Sequence, residues 1–242
     1  LRMEAYSILT QEKSEALIHS EIEDITDDFF LEERKTSSKD KSFSLLNNLK
    51  FRYQPKNTKD VAYEAQVNAS SQDYFTNINT QTQDLEHDVL SKIKPENIEL
   101  RQFFRLNSQP KYKHTSRLTA EQYYARQKNL RDWVFEQPPF SDIIPFEDED
   151  VFNFLQNTKQ EVHSARVQYK HYWVLAPLHH IYPVTGVKIH HDRYSTQDYQ
   201  LLEDGEKNEF TSADFDNDLR FNFIDPYLGF QYKTQIARRL TL

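Results

Sequence analysis

Six of the nine histidines fall between positions 163 and 191, and four of them form two adjacent pairs, His179-His180 and His190-His191. Neutral imidazole is the commonest protein ligand for zinc and related metals, and open catalytic zinc sites use about three protein ligands. A chain reversal around Pro183 and Gly186 would set the two pairs side by side. Neighbouring residues on a strand point to opposite faces, so one histidine of each pair would face a shared site, completed by Asp192 or His171. The metal candidates are therefore His171, His179, His190, His191 and Asp192, with zinc as the implied cofactor. No HExxH pattern supports them, and spacing alone reads more readily as structural or partner-contacting histidine.

Other chemistry has less behind it. Asp214, Asp216 and Asp218 open like a calcium loop, but Leu219 stands where the turn glycine belongs and Asp225 where the bidentate Glu belongs. The acids of Glu147–Asp150 and Glu203–Glu209 stand in polar stretches. Acid–base catalysis needs two carboxyls in different environments, so these count as surface features. Only 3 Gly occur, at 186, 205 and 229, and there is no Cys. Phosphate loops, dinucleotide fingerprints, nucleophile elbows, thiolate metal sites and disulfides are thereby excluded. No catalytic or cofactor-binding residue is assigned.

The elements that would position these residues read as mainly α: an elongated chain of amphipathic helices with extended linkers and an irregular C-terminal tail holding minor β. Residues 1–34 read as a helical arm, with Leu17, Ile18, Ile22, Ile25, Phe29 and Phe30 at helical spacing. Residues 35–83 read as an extended segment of low order. Residues 84–176 read as a helical core. Within it, Thr119 and Gln122 make a capping-box pattern. The longest helix is expected to start at Glu147–Asp150 and to carry Val151, Leu155, Val162, Tyr169, Tyr172 and Trp173 up to Pro177. Residues 177–242 read as an aromatic, His-containing tail. There Val187–Tyr194 and the alternation Leu219, Phe221, Phe223 suggest extended chain.

The mean hydropathy is -0.84, and 14 Tyr and 17 Phe are scattered along a chain of net charge -8. So thin a core implies burial against partners, and the acidic balance disfavours general nucleic-acid binding. One island, Arg101 to Phe135, holds eight bases (Arg101, Arg105, Lys111, Lys113, Arg117, Arg126, Lys128, Arg131) against Glu121 and Asp132. It suits anionic lipid, RNA or an acidic partner, while a charge run of this kind reads more readily as solvated or as meeting the chain's own acidic N-terminal arm. No apolar run reaches the ~18–20 residues of a transmembrane helix. The resulting expectation is a non-catalytic accessory subunit of a large assembly, in contact with other protein subunits. A mitochondrial inner-membrane energy-converting complex is the preferred setting, and Leu1 in place of Met suits a processed, imported chain. A His-cluster metalloprotein and a microtubule-associated structural protein are the alternatives.

Overall fold

A computed structural model describes residues 1–23, 31–56, 58–81, 86–111, 113–137, 143–176, 179–210, 216–237 and 240–241. Eight long strands dominate: β1 (Arg2–Glu23), β2 (Leu31–Lys56), β3 (Lys59–Gln81), β4 (Glu86–Lys111), β5 (His114–Phe135), β6 (Phe152–Ala176), β7 (His179–Leu201) and β9 (Asn217–Ala237). Two short strands, β8 (Lys207–Asn208) and β10 (Leu240–Thr241), complete one sheet. Its order is β1-β2-β3-β4-β5-β6-β7-β9-β10, with β8 beside β7. Every pair is antiparallel. This is an up-and-down meander with open edges, and no helix occurs among the described residues.

The strands run for 21 to 26 residues, whereas strands of globular proteins usually have 3–10. The connections are unequal. At one end β2–β3, β4–β5 and β6–β7 each close within two residues, through the pairs Lys56↔Lys59, Lys111↔His114 and Ala176↔His179. At the other end the chain takes wider excursions, from Phe135 to Phe152 and from Leu201 to Asn217.

Register is held across the sheet by alternation of side chains between its faces. Gly186 on β7 marks one close approach. A Cβ there would lie 2.5 Å from the Val167 carbonyl oxygen and 2.5 Å from the Tyr227 hydroxyl. The Tyr227 ring thus lies across a position with no side chain, and its hydroxyl accepts a hydrogen bond from Arg166 Nε at 3.1 Å.

The mainly α expectation is overturned. The expected arm at 1–34 is β1 and the start of β2. The expected helix from Thr119 is β5, and Glu147–Ala176 is an irregular approach followed by β6. The reason lies in parity. Leu155, Tyr169 and Trp173 are odd, while Val162 and Tyr172 are even, so the apparent helical stripe is two strand faces read as one. The Thr119–Gln122 pattern sits mid-strand, opposite Gln168 and Ala165. Of the segment 35–83, residues 35–56 and 59–81 are extended, but as β2 and β3 inside the ladder rather than as a linker. Pro183 and Gly186 do not reverse the chain, since β7 runs straight through both. Ile25, Phe29 and Phe30 of the expected arm lie outside the described residues.

Gly186→Ala is expected to destabilise the folded sheet by roughly 1–3 kcal/mol, because backbone as well as Tyr227 must shift. Denaturant unfolding followed by circular dichroism checks this, and an unchanged midpoint would contradict the packing described.

Candidate functional site

Two adjacent rows across the sheet define its chemistry. Met3, Phe51, Tyr63, Phe104, Ala120, Val167, Val187 and Pro226 lie side by side on one face of the eight long strands. One residue further along, Glu4, Lys50, Glu64, Phe103, Glu121, Arg166, Lys188 and Asp225 lie side by side on the other. The contrast extends beyond these rows. On the first face the positions from Leu45 to Tyr53, Val61 to Ala69, Ile98 to Leu106, Leu118 to Tyr124, Ile181 to Ile189 and Ile224 to Tyr232 carry no Asp, Glu, Lys or Arg. The band drifts toward the two-residue turns from β3 to β9, as a level plane does across tilted strands.

Burial is inverted relative to a water-soluble sheet. The buried strand residues Ala62, Thr76, Phe135, Phe152 and Gln200 all lie on the charged face. Met3, Ile98, Trp173, Ile224, Leu228 and Phe230, on the uncharged face, are exposed, Leu228 at 85%. Exposed apolar area this continuous marks a contact surface.

The charged face is internally paired. Asp60 accepts from Arg52 Nε at 2.9 Å and from Asn107 at 3.2 Å, with Arg105 3.6 Å away. The Arg52 hydrogen bond, above all, holds the Asp60 carboxyl below its ordinary range. Arg101 donates to Glu99 at 2.6 Å, lowering that carboxyl in the same way, and lies over the Tyr123 ring. Lys170 sits 5.1 Å from the Tyr172 ring centre and 5.5 Å from that of Tyr182.

Near the wide-loop end the same face carries an aromatic cluster. Trp133 stacks on Phe154 at 5.4 Å, and Phe146 meets Phe135, Phe152, Phe154 and Phe210 edge-on. Phe146 comes from a strap, 143–150, that crosses this face. The fully buried Gln200 pins it, accepting from Glu147 N at 2.7 Å and donating to the Glu147 carbonyl at 2.9 Å. Asn208 donates to the Pro145 carbonyl at 3.0 Å. Sequence reasoning missed this cluster. Its signal was aromatic alternation, Trp133/Phe135 and Phe152/Phe154, at the facing ends of two strands.

The expected metal ligands are spread out. His190 and Asp192 lie on the charged face, where His190 stacks on Phe223 and Asp192 accepts from Gln160. His171, His179 and His191 lie on the other face. His171 pairs with His114 (Nε2 to Nδ1, 3.2 Å), His179 with Tyr232, and His191 with Asn222. Among the described residues no three of His, Asp and Glu are grouped to hold a metal ion. Instead the histidines border the uncharged band, His163 and His191 on one side and His114, His171 and His179 on the other. The basic island divides too: Arg101, Arg105, Arg117 and Arg131 join the charged face, while Arg126 and Lys128 stand just beyond the band. Asp218 of the calcium-like run is clamped by Arg193 and Arg220; Asp214 lies outside the described residues.

No family model matches this chain, and no curated protein matches it. Among solved structures, the ferric yersiniabactin uptake receptor FyuA from Yersinia pestis is similar at 10% identity, over 96% of this chain and 44% of that one, with a TM-score of 0.24. A likeness at that score carries no argument about fold or function.

Asp198, on the charged face of β7, has a buried, unpartnered Oδ1. Desolvation first, and then the nearby Asp216, push its pKa above the ordinary 3.8, against a hydrogen bond from Gln156. The folded state therefore holds this proton more tightly than the unfolded chain. Its stabilisation is full below about pH 3.8 and is lost as pH rises through the elevated folded value. Asp198→Asn is expected to raise stability at pH 7 by at most about 1 kcal/mol, the group being half-exposed and screened, and to leave it unchanged below the ordinary value. Unfolding at the two pH values checks this.

Proposed function

We propose that this chain forms part of the wall of a transmembrane β-barrel, with the uncharged face against lipid and the charged face lining an aqueous lumen that passes or holds polar solutes. The observation that carries the reading is the pair of adjacent rows: one uncharged across eight strands, the next rich in charge. In lipid every backbone polar group must be paired internally, which leaves only helices and closed barrels as spanning structures. A tilted spanning strand needs about 9–11 residues. The band from Val61 to Ala69 supplies that length, with five outward side chains at every second position. No helix among the described residues is long and apolar enough to cross a membrane, which says nothing about strands.

Three further features support the reading. Short turns lie at one end and wider excursions at the other, the asymmetry of outer-membrane barrels. Tyr124, Tyr169, Trp173 and Tyr232, with the bordering histidines, stand at the band's margins, where amphipathic rings favour the headgroup level. Beyond the band, toward the wide loops, the lipid-side face becomes charged. Lys94, Arg126, Lys128, Lys159, Arg193 and Arg220 stand there, with Glu161 and Asp218 among them. The expected anionic-lipid contact of the basic island then falls to Arg126 and Lys128 at headgroup level, while its other strand arginines face the lumen. The edges at β1 and at β9 and β10, open in this sheet, have to be paired for the cylinder to close. The accessory-subunit reading drew on a helical arm and an extended segment, whose described residues are strands, and also on the thin core, the aromatic tail and the absence of a catalytic motif.

Ala65 and Gln66 are neighbours in β3 on opposite faces. Ala65→Arg puts a charge at mid-band and is expected to cost about 2–4 kcal/mol of folding into lipid bilayers, whereas Gln66→Arg, facing the lumen, is expected to cost under about 1 kcal/mol. Equal costs for the two, or a chain that folds to the same sheet in water without lipid or detergent, would overturn the reading.

A further inference from the structure

The aromatic cluster lines an open, unfilled hollow. A cavity of about 500 Å³ is lined by Val89, Trp133, Phe135, Gln137, Ile144, Phe146 and Phe154. That volume lies within the range of small-molecule sites, which are mostly apolar with a few placed polar groups. We propose that this cavity is a binding site for a small uncharged aromatic molecule bearing one amide- or hydroxyl-type group, its ring among Trp133, Phe146 and Phe154 and its polar group at Gln137.

The chemistry of the lining selects the ligand. Four aromatic residues and two aliphatic ones cannot compensate a charge taken from water, but they offer stacked and edge-on contacts to a flat ring. Gln137 supplies one donor group and one acceptor, enough for a single polar substituent. The walls are preformed. Trp133 and Phe154 hold each other in a stack on neighbouring strands β5 and β6, and Phe146 is wedged among four other rings. The strap bearing Ile144 and Phe146 is fixed by two hydrogen bonds to Gln200 and one from Asn208. A wall already ordered before binding loses little freedom on binding. The cavity lies on the charged face near the wide loops, beyond the uncharged band. It stands on the cluster and not on membrane placement, so the two proposals fail independently.

The probe is benzamide, titrated against the full chain in its folding medium and read by Trp133 fluorescence in a Trp173→Phe background. Saturable change is expected, with none from acetamide over the same range. Val89→Phe fills the cavity and is expected to weaken binding at least tenfold. Ile144→Phe fills it from the strap and takes over that role if the strand variant loses its circular dichroism. Gln137→Leu is expected to weaken benzamide severalfold while leaving toluene unchanged. A linear, unsaturable response, or equal saturation in the wild-type protein and a folded cavity-filled variant, would overturn the proposal.

Discussion

The structure depends on a separation of two surroundings across one layer of backbone. A strand presents alternate residues to opposite faces. Here that alternation is kept in phase through seven successive strand pairings, so that Met3 and Pro226 share a face although they stand at opposite edges of the sheet. A slip of one residue between β2 and β3 would put Glu64, Glu121 and Arg166 in line with Met3 and Phe51. Where one face excludes charge, register is strongly specified.

This arrangement accounts for a composition that looks too polar to fold. A mean hydropathy of -0.84 is low for a chain that must bury a core, but a single open sheet has no apolar centre. Its apolar residues occupy one face of about half of each strand. In β2 and β3 the rest of the strand is largely polar on both faces, as Lys41 and Asp73 on one side and Asp40 and Tyr74 on the other illustrate. Internal packing is concentrated where the strap returns over the sheet, and Phe135, Phe152, Phe210 and Gln200 are buried there. The low glycine content fits as well, because Gly186 alone shows the close approach of a neighbouring ring and backbone that forbids a side chain.

Part of this was legible in the sequence and part was not. Leu219, Phe221 and Phe223 were legible as alternation and lie in β9, though on the charged face rather than on the uncharged one. Ala165, Val167, Tyr169, Trp173 and Leu175 alternate as clearly, but Val162, Tyr172 and Val174 from the other face fill the gaps and imitate helical spacing. In β3, Tyr63, Ala65, Val67 and Ala69 give a weak signal because two of the four are alanine. The adjacent histidine pairs were visible, but adjacency in a strand sends partners to opposite faces, and without a reversal at Pro183 the two pairs never converge. The strand half of the aromatic cluster was visible as the alternation Trp133/Phe135 and Phe152/Phe154, but its closure requires knowing that Phe146 and Phe210 return across β5 and β6.

The most direct test uses the two native tryptophans. Trp173 belongs to the uncharged face and Trp133 to the charged one. With the protein folded in bilayers whose acyl chains are brominated near the headgroup, the Trp133→Phe variant should lose much of its remaining emission, because Trp173 touches lipid. The Trp173→Phe variant should lose almost none. Quenching of Trp133 alone, or of neither tryptophan in a folded protein, would contradict the placement of the uncharged face against the membrane.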